Sequence, residues 1–298
     1  MFSLKKIFIL ALIVIIAAGI LAGCGKPAAT SGQKPEASNQ QQEASAQQNS
    51  GSGNQGAPQQ ESIVDKIKSS GKLVIATSAD YPPYEFHDLS GGKDEIKGFD
   101  IDIANAIAKE LGVQLDIKDM AFDSVLPALL SKKVDLAIAA FTITEERKKS
   151  VNFSDPYFDG GQQIVTYKGS GIKSKEDLKG KKIGVQISTT GEEEAKKIEG
   201  AKLKQFDLVT EAVLELKNKR VDAIIVGEVV AKAYTAENPD LEIVGERLNS
   251  EQNGIPVRKE DTELLKVVNK VIKDLKDSGE YDKLVKKWFI DFKPVENK

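Results

Sequence analysis

The chain has 298 residues, with 42 Lys and Arg against 45 Asp and Glu, a net charge of −3, one His and one Cys. Mild acidity, with no basic patch interleaved with aromatics, argues against nucleic-acid binding. The single His, His87 in a polar loop, gives little support to a His-based triad and excludes His-rich metal sites, and a single Cys excludes an intrachain disulfide.

The first 22 residues carry Lys5 and Lys6 and then an apolar run from Ile7 to Leu21. The run is shorter than the roughly 20 residues a membrane-spanning helix needs. A basic start, an apolar centre and small residues after it describe a secretion signal, expected over residues 1–23. Leu21-Ala22-Gly23-Cys24 resembles a bacterial lipobox, which implies lipid attachment at Cys24 as the first residue of the processed chain. Residues 24–61 are dominated by Ala, Ser, Gln, Gly, Asn and Pro. Such a stretch buries too little surface to offset its ordering entropy, so a disordered tether is expected. Loss of Lys5 and Lys6 with the signal lowers the net charge to −5.

From residue 62 onward, strands and helices alternate. Leu73–Thr77 reads as a strand and Ser78–Tyr84 as a loop stiffened by Pro82 and Pro83. Gly91-Gly92 marks a turn. A helix follows Phe99, with Ile103, Ile107 and Leu111 on one face and Gly112 as its stop. Val113–Ile117 is a second strand. Leu126, Leu129 and Leu130 fall at helical spacing behind Asp123 and Ser124. Val134–Ala140 is a small apolar run broken only by Asp135, as expected of a strand buried on both faces. Strands are also expected at Gln163–Tyr167, Lys182–Gln186, Leu203–Phe206, Val221–Val226 and Leu241–Val244. The helices between them are expected at Gly191–Ile198, Thr210–Lys219 and Val229–Ala236. Gly254–Val257 is a short extended return, and helices Glu263–Lys276 and Tyr281–Trp288 close the chain. This βαβα alternation predicts an α/β fold of parallel-rich sheets flanked by helices.

Immediately after the run at 134–140 comes Phe141-Thr142-Ile143-Thr144-Glu145-Glu146-Arg147, which leaves the strand and starts a helix. Thr142 or Thr144 can cap it, and Glu145 and Glu146 suit the positive end of its dipole. Arg147 therefore sits one turn beyond the carboxyl end of a central strand, where open α/β sheets bind ligands. Its fork matches a carboxylate with two parallel hydrogen bonds. Locally, a solvated helix charge beside Lys148 and Lys149 is the competing reading.

The whole stretch from 134 to 157, VDLAIAAFTITEERKKSVNFSDPY, resembles the signature of the family 3 extracellular solute-binding proteins, the amino-acid receptors of ABC importers. The likeness runs from about Lys72 to Phe289. It implies a two-lobed periplasmic-binding-protein type II fold. Lobe 1 is built from residues 62–166 and 253–298, lobe 2 from 167–252, and two crossing strands form the hinge. It also implies a free amino acid as ligand, an importer permease as partner, a monomer, no cofactor and no catalysis.

The same resemblance assigns the site. Tyr81 is the position of an aromatic that stacks on the ligand, and Phe122 is the opposite wall of that sandwich. Ala140 and Thr142 are positions whose backbone carbonyl and hydroxyl meet the ligand's ammonium and carboxylate, and with Arg147 they make a clamp. Across the cleft, Gln186-Ile187-Ser188-Thr189-Thr190-Gly191 joins a strand to a helix start suited to a carboxylate, with Thr190 its leading contact and Gln186 beside it. Two departures stand out. Ser78 replaces a frequent Asp, partly restored by Asp80 nearby. Gly227 replaces the Asp that normally pairs with the ligand's ammonium. Glu228 next door either takes that place or only caps its own helix; otherwise the ligand is bound without an acid from lobe 2, or it lacks the usual ammonium. A polar or basic ligand such as Arg, Lys, His or Gln suits these walls. A fold-sharing enzyme of the cyclohexadienyl-dehydratase type and an extracellular sensor are the alternatives.

Overall fold

The computed structural model describes residues 61–293, which lie within one compact unit. The expected signal, Cys24 and nearly all of the tether fall outside the described residues. Among the described residues, no helix is long and apolar enough to cross a membrane.

Two sheets organise the unit. The first has three parallel strands, with Lys72–Thr77 in the centre between Gln114–Asp119 and Leu136–Ala137. Its side chains alternate between faces, as the strand period of two demands. Leu73 and Ile75 pack with Phe99, Ile103 and Ile107 of helix Phe99–Leu111 and with Leu264, Val268 and Ile272 of helix Thr262–Asp277. Val74 and Ala76 face Val125 and Leu129 of helix Phe122–Leu130. Gly112, at φ 73°, ends its helix as expected, and its N–H reaches the carbonyls of Ala108 and Lys109.

The run Val134–Ala140 is not the full strand its apolar character suggested. Only Leu136–Ala137 is paired as strand, with Ile75 and Ala76. Asp135 satisfies the central strand there through its side chain, accepting from the Val74 N–H at 2.9 Å. Ala140 then turns the chain out of the sheet at φ 46°, a left-handed geometry uncommon for a residue with a Cβ.

The second sheet is mixed rather than mainly parallel. Its order is Lys202–Phe206, Lys182–Gln186, Ala223–Gly227, Gln162–Tyr167, Leu241–Val244. The first three strands run parallel, and Gln162–Tyr167 pairs antiparallel with both of its neighbours. That strand was expected to end lobe 1. It is instead interior to the second sheet, because Ile164 and Val165 are fully buried between that sheet's helices. The crossing between halves lies just before it, where Phe158–Gly160 pairs antiparallel with Glu251–Asn253.

A helix at Ile63–Ser70, capped by Ser62 and stopped by Gly71, precedes the first strand and was not anticipated. The last helix also differs from expectation. It is regular over Glu280–Val285 and widens into a π-type turn at Lys286–Ile290. Trp288 Nε1 donates to Asp102 Oδ2 at 2.7 Å, tying this end of the chain to the first half.

Candidate functional site

All ten candidate residues, Ser78, Asp80, Tyr81, Phe122, Ala140, Thr142, Arg147, Gln186, Thr190 and Glu228, line one cavity of about 280 Å³ between the two sheets. Local structure explains how several of them get there. Thr144, not Thr142, caps helix Glu145–Lys148 by accepting from the Arg147 N–H. Thr142 is thereby left free to face the cavity. Thr189 caps helix Thr190–Lys196, which likewise frees Thr190.

Arg147 spans the cleft. Nη1 donates to the Thr142 carbonyl and Nη2 to the Ser188 carbonyl, both at 2.9 Å. Its guanidinium lies 5.5 Å from the Phe122 ring centre and 5.2 Å from that of Phe141, and the two rings stack at 4.7 Å. The aromatic face holds the cation in place by its quadrupole. Burial pulls the Arg147 pKa below its ordinary value, against the opposing pull of Glu193, Glu251 and Tyr81. An Arg starting so high stays charged.

The loop after the first strand reaches the other half from the opposite side. The Val209 N–H, at the start of helix Val209–Lys217, donates to the Asp80 carboxylate. Tyr234 Oη donates to the Asp80 carbonyl at 2.8 Å. Ser78 Oγ donates to Asp80 Oδ1 at 3.1 Å, so the acid missing at position 78 stands two residues on. Burial pushes the Asp80 carboxyl up to about 6, although its hydrogen bonds from Val209 and Ser78 favour the ionised form.

Tyr81 explains Gly227. The Gly227 N–H donates to Tyr81 Oη at 3.0 Å, and a Cβ at 227 would lie 2.5 Å from that oxygen. An Asp there would force the Tyr81 phenol to withdraw. The expected substitute is also occupied: Glu228 Oε1 lies 2.6 Å from Lys232 Nζ, and Oε2 lies 3.6 Å from Arg247 Nη1. Glu228 borders the cavity, but its charge is already matched.

Tyr81 and Phe122 each stack on a neighbour, Tyr81 on Tyr84 at 5.9 Å and Phe122 on Phe141. Gln186 turns its amide to the Asp207 carbonyl at 3.1 Å. The Ala140 carbonyl accepts from Asn253 Nδ2 at 2.6 Å.

Sequence reasoning missed the acid at the centre. Glu251, on the hinge strand, accepts from Thr142 Oγ1 at 2.8 Å and from Gln162 Nε2 at 3.0 Å. Gln162 Nε2 also donates to Thr190 Oγ1 at 3.1 Å, and Thr190 lies 3.4 Å from Thr142 Oγ1. Glu251, Gln162, Thr142 and Thr190 thus form one polar network joining both halves and the hinge. Glu85 and Asn253 are further lining residues that were not anticipated. Among the described residues, no group of three or more His, Cys, Asp or Glu is placed to hold a metal ion.

A cleft between two α/β halves, crossed by two strands and lined by an Arg and a polar network, is the architecture of a solute receptor. The chain belongs to the bacterial extracellular solute-binding proteins, family 3, whose family model matches residues 73–291. It is 40% identical over 223 residues to the arginine-binding extracellular protein ArtP of Bacillus subtilis (strain 168), covering 73% of this chain and 86% of ArtP. Its fold is similar to the crystal structure of the substrate-binding protein of an amino acid ABC transporter, with TM-score 0.72 and 55% identity, covering 73% of this chain and 99% of the other. It is also similar to an ancestral arginine-binding protein bound to glutamine, with TM-score 0.70 and 51% identity, over 74% and 98% of the two chains. The fold is the two-lobed type II periplasmic-binding arrangement.

Proposed function

We propose that this chain is the substrate-binding component of an ABC importer and captures a free amino acid with a cationic side chain, arginine foremost. The observation that carries the choice is the charge of the cavity wall. Four carboxyl groups, Asp80, Asp159, Glu228 and Glu251, face two cations, Arg147 and Lys232, while the buried Glu85 carboxyl is pushed well above the usual range and adds no charge. Lys232 is matched by Glu228. Arg147 then serves the ligand's carboxylate, and the remaining acids favour a ligand bearing two positive charges. The Arg147 fork already meets carbonyls from both halves, so a carboxylate placed there bridges them.

Glu251 takes the ammonium in place of the absent acid at 227, because an ammonium in a dry cleft without an anion is costly. The stacked Tyr81 and Phe122 faces cover the side chain's stem, and Asp80 stands toward its far end. The ligand docks on the first half and favours the closed state, since only that state satisfies both sides. The permease reads the closed form, and the receptor works as a monomer. The lobes divide at the crossing strands 158–160 and 251–253. Lipid on Cys24, with residues 25–60 as tether, holds the receptor at the outer face of the cytoplasmic membrane. The relatives' names are those of binding proteins, which supports capture rather than conversion. The test is a calorimetric screen against the twenty amino acids. Arginine should bind tightest, and tightest binding by an acidic or aliphatic amino acid would defeat the charge argument.

A further inference from the structure

Behind the cavity wall, two acids meet in the core. Glu85 is 1% exposed and Asp100 fully buried, and they lie within hydrogen-bonding reach of each other. Gly98 brings them together. At φ 141° it lets its own backbone approach so closely that a Cβ would stand 2.0 Å from the Tyr84 carbonyl oxygen and 2.8 Å from the Glu85 nitrogen.

One oxygen of each acid, Glu85 Oε2 and Asp100 Oδ1, is buried with no hydrogen-bond partner. Two carboxylates in contact cannot both be ionised in such a place, whereas one proton between them satisfies both orphan oxygens. The surroundings say which acid carries it. Asp100 Oδ2 accepts from the Ala140 N–H at 2.7 Å and from Tyr157 Oη at 2.9 Å. Asp100 also lies in the first turn of helix Phe99–Leu111, where the dipole favours an anion.

The remaining groups facing Glu85 are Asp80, Asp119 and the phenols of Tyr81, Tyr84 and Tyr157, each acidic or neutral. Burial first, and then Asp100, push the Glu85 carboxyl well above the usual range.

We infer that Glu85 and Asp100 share one proton, Glu85 donating and Asp100 accepting, and that the pair holds the cavity wall and the hinge in register. The register runs through Ala140. Asp100 fixes its N–H, and its carbonyl accepts from Asn253 of the hinge strand. Asn253 Oδ1 in turn accepts from Tyr84 Oη at 3.3 Å. Glu85 and Asp100 are positioning residues for the left-handed Ala140. Glu85 therefore presents a neutral face to the ligand, although it borders the cavity. The proton itself stands whatever the ligand proves to be.

The test uses the full-length chain. Glu85→Gln keeps a donor toward Asp100, whereas Glu85→Ala removes it. At neutral pH the infrared carbonyl stretch of a protonated carboxylic acid should be present in wild type and reduced in Glu85→Gln. The native state holds one more proton at Glu85 than the unfolded chain above about pH 4.3, so the contribution of Glu85 to stability falls as pH rises from there through the folded pKa. Urea unfolding at a series of pH values should show that decline lessened by one proton in Glu85→Gln. Binding of the best amino acid should stay within about threefold for Glu85→Gln and weaken by about tenfold for Glu85→Ala. An unchanged infrared band and pH slope in Glu85→Gln would overturn the shared proton. Equal affinity of the Gln and Ala variants would overturn the positioning role.

Discussion

Gly227→Ala isolates one atom's worth of crowding. Gly227 has φ −52° and ψ 140°, values any residue adopts, so Ala there carries no backbone strain. Replacing Gly by Ala at such a site stabilises by about 0.4–1 kcal/mol through the unfolded chain. Against this, the new Cβ stands 2.5 Å from Tyr81 Oη and 3.4 Å from Cζ. The phenol must withdraw by roughly 1 Å to reach an ordinary contact, which breaks its bond from the Gly227 N–H. A neutral hydrogen bond contributes about 0.5–1.5 kcal/mol, so net stability should move by less than about 1 kcal/mol. Affinity has no such offset, because Tyr81 is a cavity wall and its bond crosses the cleft. Ligand binding should weaken by about 2–15-fold. Tyr81→Phe removes the clashing oxygen and leaves the Cζ contact at a comfortable distance. Added to Tyr81→Phe, Gly227→Ala should therefore cost nothing further, a non-additivity of about 1 kcal/mol in a double-mutant cycle read by calorimetry. If the two substitutions add fully, the Tyr81 hydroxyl is not what keeps position 227 free of a side chain.

Three other outcomes follow from the same geometry. Arg147→Ala should leave the fold intact and weaken binding by about 3–5 kcal/mol, since a ligand carboxylate is left buried and unpaired; calorimetric affinity within threefold of wild type refutes the clamp. Glu251→Gln should weaken binding by about 1.5–3 kcal/mol through loss of a charge-assisted bond, whereas Glu228→Gln should bind within about threefold of wild type because Lys232 and Arg247 already hold its carboxylate. The reverse ranking would return the ammonium to Glu228. Cys24→Ser should release the receptor to the medium or leave its signal uncleaved, with unchanged affinity; a processed variant that still fractionates with membranes would mean that something other than lipid anchors it.

How much of this was legible in the sequence depended on range. Helix Phe99–Leu111 announced itself by apolar spacing and its glycine stop, both local signals. A cap and acids in the first turn made the helix that carries Arg147 legible, but its part in the site came from the family resemblance, since locally a solvated helix charge read as well. The run at 134–140 misled because small apolar residues suit a buried turn as well as a strand, and nothing local reveals the left-handed Ala140. Helix Ile63–Ser70 was overlooked despite a cap at Ser62 and a stop at Gly71, because its apolar face is only Ile63, Val64 and Ile67. Glu251 could not be found at all from spacing. It meets Thr142 from 109 residues away, and Glu251-Gln252-Asn253 reads as a polar loop. The Gly227 departure was visible, but its cause, a tyrosine 146 residues earlier, was not.

In the proposed function the cleft selects an amino acid by both ends, the carboxylate at Arg147 and the cationic end among the acids. Calorimetric titration of the ligand-free chain with L-arginine and with agmatine, which is arginine without its carboxylate, tests it most directly. Arginine should bind one-to-one, with agmatine at least about 100-fold weaker, the worth of a charge-assisted pair in a dry site. Agmatine binding within tenfold of arginine would contradict it.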